Sequence, residues 1–136
     1  MILINKEDAP VYGGDLKGNI LFLETQGESA LMIVSFGSHP CIYITFPGIQ
    51  HISDYGNADG LCQVHYGFTF LGSRENLGIA GLWLGWDYAH VGDLLYHEHY
   101  DHRIPGDHEW TLNELKFEGR RALDTILERE VKDGKA

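Results

Sequence analysis

The chain has 136 residues and a mass of 15.3 kDa, enough for one domain with its own hydrophobic core. Twenty acidic residues against ten basic ones leave a formal net charge of −10. That balance excludes a sequence-independent grip on DNA or RNA, which needs Lys and Arg to displace counterions. No apolar run approaches the length of a membrane span, and the opening MILINKEDAP lacks the basic start and long apolar stretch of a signal peptide. Two cysteines, Cys41 and Cys62, with no CxxC spacing, fit buried thiols in a reducing cytoplasm.

In chain order, NILFLE (19–24) and SALMIVSF (29–36) predict two strands joined by a TQGE turn. CIYITF (41–46), β-branched and aromatic, predicts a third strand, closed by Pro47-Gly48. IQHISDYGNADG (49–60) reads as a polar loop. LCQVHYGFTFL (61–71) alternates, with Val64, Tyr66, Phe68 and Phe70 on one face and His65, Gly67 and Thr69 on the other, and predicts a fourth strand. IAGLWLGWD (79–87) predicts a fifth, interrupted by glycines where a backbone or ligand approaches closely. Residues 94–110 are irregular and polar. Thr111 and Glu114 have the spacing of a capping box, and Leu115, Ala122, Leu123, Ile126 and Leu127 then fall on one helical stripe. The expected architecture is a single α+β domain over residues 1–136, about five mostly antiparallel strands with one C-terminal helix packed on them.

The stretch HEHYDH (97–102) matches the HxHxDH signature and locally resembles the metallo-β-lactamase superfamily. That fold needs about twice this chain and further His and Asp ligands downstream, yet only His108 follows His102. The family assignment therefore fails. Five of the eight histidines lie between 90 and 108, which makes a chance match easy. A solvated loop whose His97, His99 and His102 hold Zn²⁺ or Ni²⁺ adventitiously accounts for the letters.

A second constellation joins His65 to GWDYAHVGD (85–93). Asp87 and His90 are three residues apart, as are His90 and Asp93, so a helical turn after Trp86 clusters them. Two carboxylates and two imidazoles can do general acid–base work or hold a divalent ion such as Zn²⁺, Mn²⁺ or Mg²⁺, with Asp87, His90 and Asp93 as ligands. The structural alternative is that Asp87 and Asp93 cap turns while His90 and His65 are hydrogen-bonded, partly buried histidines. Both readings stay open.

CIYITFPG, VHYGFTFLG and GLWLGWDYAHVGD, in this order before a helix, resemble a family of small proteins encoded by tailed bacteriophages and prophages, whose members read like CGYVGVP, VHGGLTFSG and WWFGFDCAHAGD. The resemblance spans roughly residues 32–128 and is carried by His65, Gly67, Thr69, Asp87, His90, Gly92 and Asp93. This chain departs in having Tyr66, Trp86 and Tyr88 where members have Gly, Phe and Cys, which reshapes any shared pocket. The resemblance implies a phage accessory protein acting in the bacterial host cytoplasm, of the kind that counters host defence.

Three functions compete. The first is binding and sequestration of a small nucleotide-type immune signal, with His65, Tyr66, Thr69, Trp86, Asp87, Tyr88, His90 and Asp93 around it. Here Trp83, Trp86, Tyr66 and Tyr88 would stack on a base, and Arg74, Arg103, Arg120 and Arg121 would be the phosphate partners. The second is a metal-dependent phosphodiesterase with His65, Asp87, His90 and Asp93 as catalytic groups. A phosphate beside two aspartates needs a cation between them, so without one the phosphates sit near the arginines. The third is an acidic inhibitor that docks on a host protein. Under the first two, His65→Ala or Asp87→Ala abolishes activity while the fold survives. A homo-oligomer is a fair expectation, since symmetric assembly is common among small binding proteins.

Overall fold

A computed structural model of the chain describes residues 1–6, 18–93 and 106–132, the side chains of the last two excepted. The expected α+β architecture is what forms. Six strands, β1 (Ile2–Asn5), β2 (Asn19–Gln26), β3 (Ser29–Ser35), β4 (Pro40–Thr45), β5 (Phe70–Arg74) and β6 (Ile79–Asp87), make one sheet in the order β1-β2-β3-β4-β6-β5. Every neighbouring pair is antiparallel. A short helix α1 (Tyr55–Ala58) lies in the β4–β5 connection, and the long C-terminal helix α2 (Leu112–Lys132) packs on one face.

Both faces of the central strands are covered, so β2 to β4 read as near-continuous apolar runs; all seven residues of β3 are buried. On the helix side, Phe22, Leu31, Ile33, Ile42, Ile44, Leu84 and Trp86 meet Leu115, Ala122, Leu123 and Ile126 of α2. Each buried Leu, Ile or Phe among them contributes roughly 1.5–3 kcal/mol relative to exposure. On the opposite face Leu23, Met32, Val34, Cys41, Tyr43 and Trp83 form a second cluster, flanked by Phe36, Phe70 and Leu77. The capping box closes as expected: Thr111 Oγ1 accepts from Glu114 N at 3.2 Å, and Glu114 Oε1 accepts from Thr111 N at 3.0 Å. Of the expected apolar stripe, Leu127 is only partly buried and the other four are buried.

Three expectations need correction. β1 is an additional strand: the exposed Ile2 and Leu3 gave no alternation to read, and the strand is held at the sheet edge by β2. The polar loop 49–60 is partly ordered, into a 3₁₀ turn over Pro47–His51 and α1, whose Asp54 cap accepts from Asn57 N at 3.0 Å. The strand expected over 61–71 exists only as β5. Tyr66 stands at φ 57 and Gly67 at φ 83, and two successive left-handed residues turn the chain out of any pleat. Leu61, Cys62 and Val64 instead pack against the helix-side core. The HEHYDH motif lies outside the described residues, as does Arg103. Among the described residues, no helix is long and apolar enough to cross a membrane.

Candidate functional site

Two features meet at the β6 end of the sheet: a cluster of polar and aromatic side chains, and a cavity on the face away from α2. Asp93 centres the cluster. Its side chain is 2% exposed and takes three donors: His65 Nε2 at 2.8 Å, Trp110 Nε1 at 2.8 Å and the His90 amide at 3.0 Å. A carboxylate only accepts, so the Nε2 of His65 bears a proton. The His65 ring stacks on buried Tyr88 at 4.7 Å and 10°, and the edges of Tyr66 and Trp110 close on it at 4.8 and 5.3 Å. The local chain path makes this possible. Tyr66 in its left-handed conformation donates to Val91 O at 2.8 Å, while His108 N donates to Gly92 O at 2.7 Å and brings Trp110 under the turn.

Asp87 belongs to a second pair. Its Oδ1 accepts from Ala89 N at 3.1 Å and its Oδ2 from Thr69 Oγ1 at 3.2 Å. His90 Nε2 lies 3.0 Å from Asp87 Oδ1. That nitrogen is buried and makes no hydrogen bond, so the contact is a close approach only. Tyr66 stacks on His90 at 4.4 Å and 11°, and the rings of His65 and His90 are 6.0 Å apart. The four residues expected to act together are thus neighbours divided into two dyads, His65–Asp93 and Asp87–His90. The turn-capping alternative is met as well, since both aspartates accept from backbone amides. Among the described residues, no group of three or more His, Cys, Asp or Glu side chains converges on a metal position. A divalent ion on Asp93 would have to displace donors already in place.

The cavity, about 310 Å³, opens on the second face between β4, β5, β6 and the end of the β3–β4 hairpin. Strand alternation puts Cys41 and Tyr43 of β4 on this face, across from Asp87 and Gly85 of β6. Gly85 is required there, because a Cβ would collide with the Tyr43 ring and lie 3.0 Å from Ile42 O. The close approach expected at a strand glycine is therefore made by Tyr43. At the far end the ladder is bulged, with Ala80 and Gly81 unmatched between the Ser73–Leu82 and Arg74–Ile79 pairs and Gly81 at φ 104.

Arg74 stands at that bulge and lines the cavity. Its guanidinium lies 3.9 Å from the Phe70 ring centre, 4.7 Å from Tyr43 and 5.7 Å from Phe36. Nη2 donates to Tyr43 Oη at 3.0 Å, while Nε is enclosed without an acceptor. No carboxylate is within ion-pair distance of Arg74 among the described residues. At the other end are Asp87, Thr69 and His39, the last hydrogen-bonded to Ser38 Oγ at 2.9 Å. Burial lowers the His39 pKa, against a partly opposing pull from Asp87. Burial also pushes the Cys41 thiol up to about 12 and raises the Tyr43 phenol.

The other expected site residues are distributed differently. Trp86 borders the cavity, yet it is 1% exposed, donates to the hydroxyl of fully buried Tyr88 at 3.0 Å, and like Tyr88 packs in the helix-side core. Trp83 is buried on the other face and donates to Ala80 O. Arg120 forks onto Glu24 with two contacts of 3.1 Å, and Arg121 donates to Gln63 O at 2.8 Å. These two arginines stand on α2, across the sheet from the cavity. Phe36, His39, Tyr43, Phe70 and Trp110 escaped sequence reasoning, because only the strand register and the return of the chain before α2 bring them to the site. Comparison of the chain with protein-family models, curated proteins and solved structures finds no match.

Proposed function

We propose that this chain is a phage counter-defence protein that binds and sequesters a small nucleotide-type host signal, with the cavity on the open sheet face as its site. The observation that carries the reading is the cavity's composition: aromatic walls from Phe36, Tyr43 and Phe70, one cation with no carboxylate partner among the described residues, and a hydrogen-bonding end at Thr69 and Asp87. A base is recognised by flat apolar surface and a few placed acceptors, a phosphate by a guanidinium fork. At about 310 Å³ the cavity is at the small end of ligand pockets, the size of one nucleotide unit. The phage context rests on the resemblance of the VHYGFTFLG and GLWLGWDYAHVGD segments.

A second reading, a metal-dependent phosphodiesterase, draws on the His65–Asp93 dyad, in which a carboxylate orients an imidazole as it does in many general bases. Mass spectrometry of purified protein incubated with cyclic and linear nucleotides, with and without Mn²⁺, Mg²⁺ or Zn²⁺, separates the two. Sequestration predicts that heating releases an intact nucleotide and that Asp87→Ala retains less of it. Metal-dependent conversion to a linear product favours the phosphodiesterase. Retention of no nucleotide under any condition refutes both and favours an acidic inhibitor of a host protein.

A further inference from the structure

We propose that Arg74 is the anion-binding centre of the cavity and that it selects ligands carrying a single phosphate, held without a bridging metal ion. This inference rests on the nucleotide reading above and gives that site its substrate class.

Three observations converge on Arg74. In a chain with twice as many acids as bases, Arg120 and Arg121 find carboxylates and Arg129 donates to two backbone carbonyls, while Arg74, lining a cavity, has no carboxylate among the described residues and an enclosed Nε without an acceptor. An unpaired cation in an apolar surround is costly, and an anion entering the cavity relieves that cost. The guanidinium is also preorganised: Phe70 stacks at 3.9 Å and Tyr43 Oη holds Nη2 at 3.0 Å. Little side-chain freedom is then lost when an anion binds. Tyr43 is in turn seated against Gly85, so the orientation is fixed by the β4–β6 register.

Asp87 sets the phosphate count. It lines the same cavity, its donors Ala89 N and Thr69 Oγ1 give neutral hydrogen bonds, the His90 imidazole approaches Oδ1 to 3.0 Å without hydrogen-bonding to it, and burial holds the nearby His39 toward its uncharged form. One guanidinium can balance one phosphate. A second or third phosphate would reach toward a carboxylate in a molecule of net charge −10 and be repelled. The Asp87 end instead suits a donor such as a ribose hydroxyl or a base amine.

The test is titration of the full chain in EDTA with a cyclic mononucleotide, the matching nucleoside triphosphate and inorganic phosphate, read by calorimetry and by the NMR signal of the Arg74 side-chain N–H, assigned from Arg74→Lys. The single-phosphate ligand should bind at least tenfold tighter than the triphosphate. Arg74→Gln should weaken it by roughly ten- to a hundredfold, in line with loss of charge-assisted hydrogen bonds. Arg74→Lys should restore only part of that, because an ammonium neither stacks nor forks. Equal or tighter triphosphate binding in EDTA overturns the phosphate selection. Unchanged nucleotide binding by a folded Arg74→Gln protein overturns the anion centre and leaves the nucleotide reading standing. If no nucleotide binds but inorganic phosphate shifts the Arg74 signal, the anion centre stands and the nucleotide reading falls; if phosphate is also silent, both fall.

Discussion

Asp93→Asn isolates the contribution of one carboxylate to the order of the site. Oδ1 faces Trp110 Nε1 at 2.8 Å and Oδ2 faces the His90 amide at 3.0 Å, with His65 Nε2 within 2.9 Å of both. Asparagine keeps the shape but turns one acceptor into an NH₂ group. Either amide orientation sets that NH₂ against a donor that cannot change, the Trp110 indole or the His90 backbone N–H. His65 can change tautomer; they cannot. One buried donor is thus left without an acceptor, at about 1–3 kcal/mol, and the surviving bonds lose their charge assistance, roughly another 1 kcal/mol. The expected loss is about 2–4 kcal/mol. With a urea m-value of about 2 kcal/mol/M for a domain of this size, the unfolding midpoint should fall by about 1–2 M at unchanged slope. Asp93→Ala, which strands all three donors, should cost about 3–5 kcal/mol. Asp87→Asn is the control: the Thr69 hydroxyl can rotate to accept from the new NH₂, so the loss should stay below about 1 kcal/mol. A midpoint for Asp93→Asn within about 0.3 M of the parent would refute this account of Asp93 as a saturated acceptor.

Gly85→Ala drives a methyl group into the Tyr43 ring, so it should cost about 1–3 kcal/mol by overpacking and lower Tm by several degrees in calorimetry. Because Tyr43 holds Arg74, any ligand bound by the cavity should weaken in parallel; an unchanged Tm would mean that β4 and β6 can part enough to admit the methyl group. His39 gives a pH signature. Burial depresses its folded pKa below the ordinary His value near 6.5, so its neutral form stabilises the fold. That contribution is present above about pH 6.5 and is lost as pH falls through the folded pKa. His39→Gln should flatten the acid side of a plot of stability against pH in this window, and an identical slope would remove His39 as the cause.

Much of this molecule was legible in the letters alone. The apolar runs at 19–24, 29–36 and 41–46, the capping-box spacing of Thr111 and Glu114 and the stripe from Leu115 to Leu127 are local signals, and local physics reads them correctly: β-branched runs extend, and a cap starts a helix. Spacing grouped Asp87, His90 and Asp93, although a bend closed by Asp93 N on His90 O takes the place of the expected helical turn; His65, far off in sequence, was joined to them by residue type alone. Local reading failed at 61–69, where perfect alternation hides two left-handed residues, because a period of two describes composition and not backbone torsion. It also could not divide the four polar residues into two dyads, since the donor that completes Asp93 comes from Trp110, seventeen residues on. Arg74 shows the limit most plainly. As a letter it equals Arg120 and Arg121; only the sheet order, which sets β5 beside β6 and β6 beside β4, surrounds it with Phe70 and Tyr43 and, among the described residues, gives it no carboxylate. Propensity and capping act between neighbours in sequence, whereas a counterion, an aromatic wall or a saturated acceptor depends on which distant strands are brought side by side.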